Sequence, residues 1–323
     1  MSEEVVCPYC SAPISVTAYE NVITCLYCGT TFVKGGEVVK DHRMGMINYK
    51  PREIFDIFKE WALRKPETPD DILVKASMTG YDLTLYPYWV FKLDIKAVYS
   101  AYKKARSSRV TGVEHETLTI AIPAAEEMYS TVLSDYEFSV RGKIYYNSHV
   151  VKSLGAKVLN ANVSPEKAKE RAFRKALDSL RKKLEKTGLT RISFDPSTSI
   201  SVEDMMYVHI PIYRITYRYG GRQYRFLADA SDSKIVYAEI PTGKVFRVIS
   251  IGAAVASLLL AGIVFFAGLS LRAICFGAYS GFLMTLISAF MFLKAVKGVV
   301  VVAKYRRESE TVDKIARYLV RYL

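Results

Sequence analysis

The sequence predicts an α+β chain with a metal-binding start and a membrane-embedded end, and three observations carry that expectation. Two C-x-x-C pairs open the chain, helix-like and strand-like stretches alternate through residues 48–245, and two long uncharged runs follow. The expected order is an N-terminal four-cysteine unit (1–34), then two modules that each pack a helix on an antiparallel sheet (48–160 and 161–245). A two-helix transmembrane hairpin (246–303) and an amphipathic cytoplasmic tail (304–323) complete it.

In the first element, Cys7-Pro8-Tyr9-Cys10 is followed after fourteen residues by Cys25-Leu26-Tyr27-Cys28-Gly29. Each C-x-x-C sets two thiolates on one tight turn, as two corners of a tetrahedron require, and two such knuckles complete a four-sulfur site. Gly29 suits a knuckle because the backbone there turns tightly. Ile14–Ala18 and Asn21–Thr24 read as hairpin strands. With a knuckle on each of two neighbouring hairpins, residues 1–34 resemble the zinc-ribbon family. Cys7, Cys10, Cys25 and Cys28 are therefore the expected ligands of one structural zinc ion, with iron compatible with the same spacing. Four protein ligands leave no open position, so the metal is expected to hold the fold together rather than to catalyse. Residues 1–34 carry three glutamates against one lysine, which favours protein contact over phosphate contact.

In the first module, Pro51 opens a helical pattern with Ile54, Phe55, Phe58, Trp61 and Ala62 on one face. Thr68-Pro69-Asp70-Asp71 reads as a second helix start. Strands are expected at Leu85–Tyr99, Thr117–Ile122 and Tyr136–Tyr146. The second module begins with the clearest soluble helix, 164–186, capped by Ser164 with Pro165 next. Ala168, Ala172, Phe173, Ala176, Leu177, Leu180 and Leu184 form its apolar stripe, and Gly188 ends it. A meander follows, with Gly220-Gly221 joining two alternating strands and a third strand at Ile235–Ile240. A weak repeat links the modules: Pro87 and Pro211 sit in similar aromatic strands, 124 residues apart.

The Ser-Pro-Glu-Lys-Ala helix start at 164–168 and the Tyr-rich hairpin around 224–236 resemble PepSY-like modules. The whole arrangement is similar to a group of prokaryotic zinc-ribbon membrane proteins, which implies an archaeal source. The single glutamine and five asparagines add a thermophile's depletion of labile amides.

The membrane element rests on length. Val248–Leu271 is 24 residues and Ala273–Leu293 is 21 residues without a charge, each enough for a hydrocarbon core about 30 Å thick. Arg272 alone separates them, so the helices should be antiparallel neighbours. Gly277 and Gly281 have the spacing of close-packed membrane helices. Seven basic residues flank the open ends (Lys244, Arg247, Lys294, Lys297, Lys304, Arg306 and Arg307) against Arg272 at the tip. Both termini are thus expected in the cytoplasm, as is the acidic N-terminus with no leader-like segment. Cys275 reads as an apolar filler of the second span. In the tail, Val312, Ile315, Ala316, Leu319 and Val320 share one face.

Net charge is +13, concentrated in 165–186 (nine Lys/Arg against four acids) and 294–323 (eight against three). No H-E-x-x-H, G-x-S-x-G, P-loop or G-x-G-x-x-G motif occurs among these residues, and His42, His115, His149 and His209 read as structural. The expectation is therefore not an enzyme. It is a multi-pass membrane adaptor that meets the lipid bilayer and a protein partner at the cytoplasmic face. A membrane-tethered nucleic-acid binder, or a regulator of a membrane protease or transporter, is the alternative.

Overall fold

The computed structural model describes residues 2–103, 108–270, 279, 281–286, 288–289 and 299–303. Short strands come first: β1 (Ser2–Val6), β2 (Pro13–Thr17), β3 (Val22–Thr24), β4 (Thr31–Val33) and β5 (His42–Met44). Helix α1 (Pro51–Leu63), the single turn α2 (Ile72–Lys75) and the long strands β6 (Ser77–Lys103) and β7 (Arg109–Pro123) follow. Next are β8 (Ile144–Tyr145), α3 (Ser148–Ser153), β9 (Lys157–Val158) and α4 (Pro165–Lys186). The order ends with β10 (Leu189–Phe194), β11 (Ser199–Tyr219), β12 (Arg222–Asp229), β13 (Ile235–Pro241), α5 (Lys244–Ser270) and β14 (Val299–Ala303).

The chain forms two compact units, each assembled from separate stretches. The first comprises Met1–Asn48, Leu83–Ile212 and Asp229–Ser231; the second comprises Tyr49–Asp82, Tyr213–Ala228 and Asp232–Leu323.

In the first unit, β6 and β7 form an antiparallel hairpin in continuous register from Tyr88↔Pro123 to Tyr102↔Arg109. Strand alternation turns Trp89, Phe91, Leu93, Ile95 and Ala97 to one side, where α4 covers them. The helix does so with Ala168, Ala172, Ala176, Leu180 and Leu184, all buried. Three alanines in that stripe let its backbone lie close to the sheet. Ser164 accepts from the Lys167 N–H and Pro165 occupies the first turn, as the sequence implies. The basic face of α4 is engaged by acids: Lys167 and Arg171 reach Glu126 at 3.0 and 2.7 Å, and Lys183 reaches Glu114 and Glu116 at 2.8 and 3.0 Å. Pro87 and Pro211, the two anchors of the expected repeat, play the same local part. The Pro87 carbonyl accepts from Ala124 N–H at 2.9 Å and the Pro211 carbonyl from Ala230 N–H at 2.8 Å.

The second unit is built around an aromatic cluster. Phe58 of α1 stacks on Phe226 at 4.0 Å, and Tyr217 and Phe55 close around them. Glu53 accepts from the Lys50 N–H at 2.8 Å and so fixes the helix start. Gly220 and Gly221 take φ of +55° and +79°, the turn that strands β11 and β12 need. β13 pairs with β14 from Tyr237↔Ala303 to Pro241↔Val299.

Three expectations change. Residues 136–146 form no long strand; only Ile144–Tyr145 is extended in a ladder. The Tyr136 side chain is drawn inward to donate to Asp229 at 2.8 Å, and Gly142 turns the chain at φ +77°. Thr68 does not start a helix. It donates to the Ala62 carbonyl and so satisfies the end of α1, while Asp71 precedes the short α2. Among the described residues one helix, Phe246–Phe266, is long and apolar enough to cross a membrane. Most of the second run, Ala273–Leu293, lies outside the described residues, as do Cys275 and the tail 304–323. Val299–Ala303, placed by the sequence reading at the end of the hairpin, is a sheet strand.

Candidate metal centre

Two tight turns bring the four cysteines together in the first unit. In the first knuckle the Ser11 N–H donates to the Cys7 carbonyl at 3.0 Å; in the second the Gly29 N–H donates to Cys25 at 2.9 Å. The residue after the second cysteine has positive φ in both, +58° at Ser11 and +82° at Gly29. The antiparallel pairs β1–β2 and β3–β4 carry the knuckles.

All four sulfur atoms lie within 4.8 Å of one another. Cys7 Sγ is 3.7 Å from Cys28 Sγ, and Cys10 Sγ is 3.7 Å from Cys25 Sγ. A tetrahedron with metal–sulfur bonds of about 2.3 Å has edges of about 3.8 Å, so the spacing fits a zinc-sized cation. Burial pushes the Cys25 thiol up to about 12. Burial works the same way at Cys28, but the Thr30 hydroxyl and N–H and the neighbouring thiols bring it down to about 7. Four thiolates at these separations require a cation to offset their repulsion. The Cys28 thiol donates to Thr30 Oγ1 at 3.2 Å, and the same hydroxyl can donate to the sulfur once it is a thiolate. The four cysteines are thus positioned to bind a metal ion, with all four positions filled by protein.

Cys7 and Cys25 share a small apolar cluster with Val16, Ile23 and Phe32, and the adjacent Val22 ties it to the first unit's core. Val22 belongs to the same apolar cluster as Trp89 and α4. Its N–H donates to the Ala161 carbonyl at 2.9 Å, and the Ala161 N–H returns a bond at 3.0 Å. The Thr24 N–H donates to Asn160 Oδ1 at 3.3 Å.

Behind the second knuckle lies an arrangement the sequence reading missed. The Thr24 and Thr31 hydroxyls are 2.9 Å apart, Thr31 Oγ1 is 2.8 Å from His42 Nδ1, and His42 Nε2 is 2.8 Å from His209 Nδ1. His209 Nε2 ends the chain on the Leu159 carbonyl at 3.3 Å. A carbonyl only accepts, so every hydrogen is assigned in turn: His209 donates to Leu159, His42 to His209, Thr31 to His42 and Thr24 to Thr31. Both imidazoles are neutral in this scheme. Burial pushes His209 down to about 4, and burial with the proximity of His209 holds His42 well below its ordinary value. Tyr146 stacks on His42 at 4.3 Å. Only one signal was available in advance, the placing of His209 among Val208, Ile210 and Ile212 on an apolar strand. The parallel pairing of three-residue β5 with β11, which aligns His42 beside Tyr207, left no pattern to read.

The remaining histidines stand apart. His115 contacts Asp94 at 2.9 Å on an exposed face, and His149 sits in the first turn of α3.

No protein-family model matches this chain, and neither a curated protein nor a solved structure matches it.

Proposed function

We propose that the chain is a membrane-anchored zinc adaptor that presents a protein-binding surface on its metal knuckles at the cytoplasmic face. The observation that carries this reading is the exposure of large side chains at the knuckle tips. Tyr9, between Cys7 and Cys10, is 78% exposed; Tyr27, between Cys25 and Cys28, is 62% exposed, beside Leu26. Their backbone is held by the metal-site turns, so these aromatic groups are presented at low entropic cost, the property of side chains that dominate interfaces.

α5 supports the anchor. Val248, Leu259, Ile263 and Phe266 are 64–70% exposed along a helix of high hydropathy, an apolar surface that lipid would cover. Two contacts support the hairpin. Ser288 donates to the Ala254 carbonyl at 2.6 Å, and a Cβ on Gly281 would stand 3.4 Å from the Ala261 carbonyl. Going forward seven residues on α5, from Ala254 to Ala261, matches going back seven, from Ser288 to Gly281. That matched spacing supports reading the two runs as antiparallel neighbours. The basic flanks then orient both ends to the cytoplasm. A PepSY-like relationship and an archaeal, thermophilic source remain readings of sequence resemblance and composition. The nucleic-acid alternative is weakened by α4, whose Lys167, Arg171 and Lys183 are paired with carboxylates.

A photo-crosslinking amino acid at position 9 or 27 tests the adaptor in native membranes. A discrete adduct is expected, abolished when Cys25 is replaced by Ser and absent when the probe stands at exposed Tyr81. Adducts no different from the Tyr81 control would sink the reading.

A further inference from the structure

The second unit contains a cavity of about 760 Å³ where α5 begins. Its walls come from the loop before α2, the β11–β12 turn and the first turn of α5. Lys75, Arg222, Lys244 and Arg247 line it, against the carboxylates of Asp70 and Asp71. Asp71 is already held by Lys75 at 2.6 Å and by the Tyr219 hydroxyl. Among the described residues Arg222 and Lys244 make no ion pair. Arg247 donates through Nε to Thr242 Oγ1 at 2.8 Å, which sets its guanidinium along the cavity wall. Arg222 and Arg247 line the same cavity, together with Tyr224.

The backbone contributes as well. Gly243 donates to the Glu67 carbonyl at 2.8 Å, and a Cβ there would stand 3.2 Å from Pro69 Cα. This close approach seats the loop against the start of α5, where the Arg247 N–H donates to the Gly243 carbonyl at 3.1 Å. Tyr219 remains a neutral donor, its hydroxyl pushed up to about 12 by burial and by its bond to Asp71.

We propose that this cavity binds a phosphate group, and that its usual carrier is the head group of an anionic phospholipid. Arg222 and Lys244, which form no ion pair among the described residues, and the oriented Arg247 line it at the start of α5, so its cations outnumber the carboxylates of Asp70 and Asp71, a donor set that suits a tetrahedral oxyanion. The choice of a lipid rests on the membrane reading above. Phe246 lines the cavity and also opens the apolar stretch Phe246–Phe266, so a phosphate seated here would lie at head-group depth with its acyl chains beside α5.

The test uses the full chain in neutral detergent, with binding read by native mass spectrometry. Dihexanoyl phosphatidic acid, dihexanoyl phosphatidylcholine and inorganic phosphate are the probes. Phosphatidic acid is expected to bind at least tenfold more tightly than phosphatidylcholine, and the double variant Arg222→Gln/Lys244→Gln to lose about tenfold. Both positions are exposed or at a turn, so the variant should fold, and circular dichroism checks that. Inorganic phosphate binding as tightly as the lipid would support the phosphate site and assign it a soluble carrier. Absence of binding by either anionic probe, or unchanged binding by the double variant, would overturn the proposal. Alkaline carbonate extraction of the same variant from membranes reports on the anchor alone, so a failed site and a failed membrane reading give different results.

Discussion

Ser11 and Gly29 occupy equivalent places in the two knuckles, yet only one is glycine. A left-handed backbone costs a non-glycine residue about 1 kcal/mol, and the metal-site turn imposes that conformation on Ser11 at φ +58°. Ser11→Gly is therefore expected to raise stability by up to about 1 kcal/mol in a chemical denaturation series on the metal-loaded protein. Gly29→Ala should do the opposite by about 1–3 kcal/mol, because its new Cβ would meet the Tyr146 ring at 3.3 Å as well as the strained φ of +82°. The histidine chain makes a second demand at this scale. His209 titrates near 6.5 when unfolded and is pushed down to about 4 in the fold. Between those values the unfolded chain binds more protons, so stability is complete above pH 6.5 and falls as pH drops toward 4, by about 3 kcal/mol at most. His209→Phe should be less stable than the parent at pH 7.5 by about 1–3 kcal/mol, since a ring without nitrogens leaves His42 with no acceptor. The gap should narrow toward pH 4.5, and a gap independent of pH would show that His209 is not the titrating group. Acid also competes for the thiolates, but both proteins carry the same metal site, so their difference isolates the imidazole.

At the level of elements, legibility followed locality. Helix α4 was readable to its capping serine because Ser164, Pro165 and the 3.6-residue stripe all lie within 22 consecutive residues. The Gly220-Gly221 hairpin was readable for the same reason. The stretch 136–146 was not, because its aromatic, β-prone composition is overruled by a distant carboxylate, Asp229, that Tyr136 reaches only in the folded chain. Thr68 misled similarly, its hydroxyl ending one helix instead of starting another. In α5 the sequence shows an apolar helix but not which face is covered. Ser250, Ala254 and Ala261 are nearly inaccessible, whereas Leu258, Leu259 and Leu260 are at least half exposed. Ala261→Leu should therefore overfill the covered side of α5 and cost about 1–3 kcal/mol, lowering the melting temperature in detergent. Leu259→Phe, on the outward side, should leave that temperature unchanged within about 1 °C. Equal effects of the two would show that α5 has no packed face.

For the whole molecule, the decisive feature is that the four-cysteine segment is not an appendage. The cysteines themselves were legible, since ligand type and spacing are local, but nothing in residues 1–34 indicated that Val22 would complete the apolar cluster around Trp89 and α4. Chain segments far apart in sequence share one core here, so losing the metal should propagate beyond the knuckles. Structural zinc contributes roughly 10–16 kcal/mol to folding in isolated four-ligand peptides, more than the net stability of an ordinary domain. The chain's two tryptophans lie in different units: Trp89 is fully buried in the first and donates to the Val163 carbonyl at 2.9 Å, while Trp61 belongs to α1 in the second. In a Trp61→Phe variant all tryptophan emission then reports on the first unit. Chelating the metal should shift Trp89 emission to the red with the same time course and the same chelator dependence as metal release measured by a chromogenic zinc dye. Separate replacement of each of the four cysteines by serine should produce the shifted spectrum without chelator. Metal release that left Trp89 emission unchanged would mean that the apolar cluster closes without its ribbon strand. Val22 would then be packing on a core already complete, and the two knuckles would be a separable module after all.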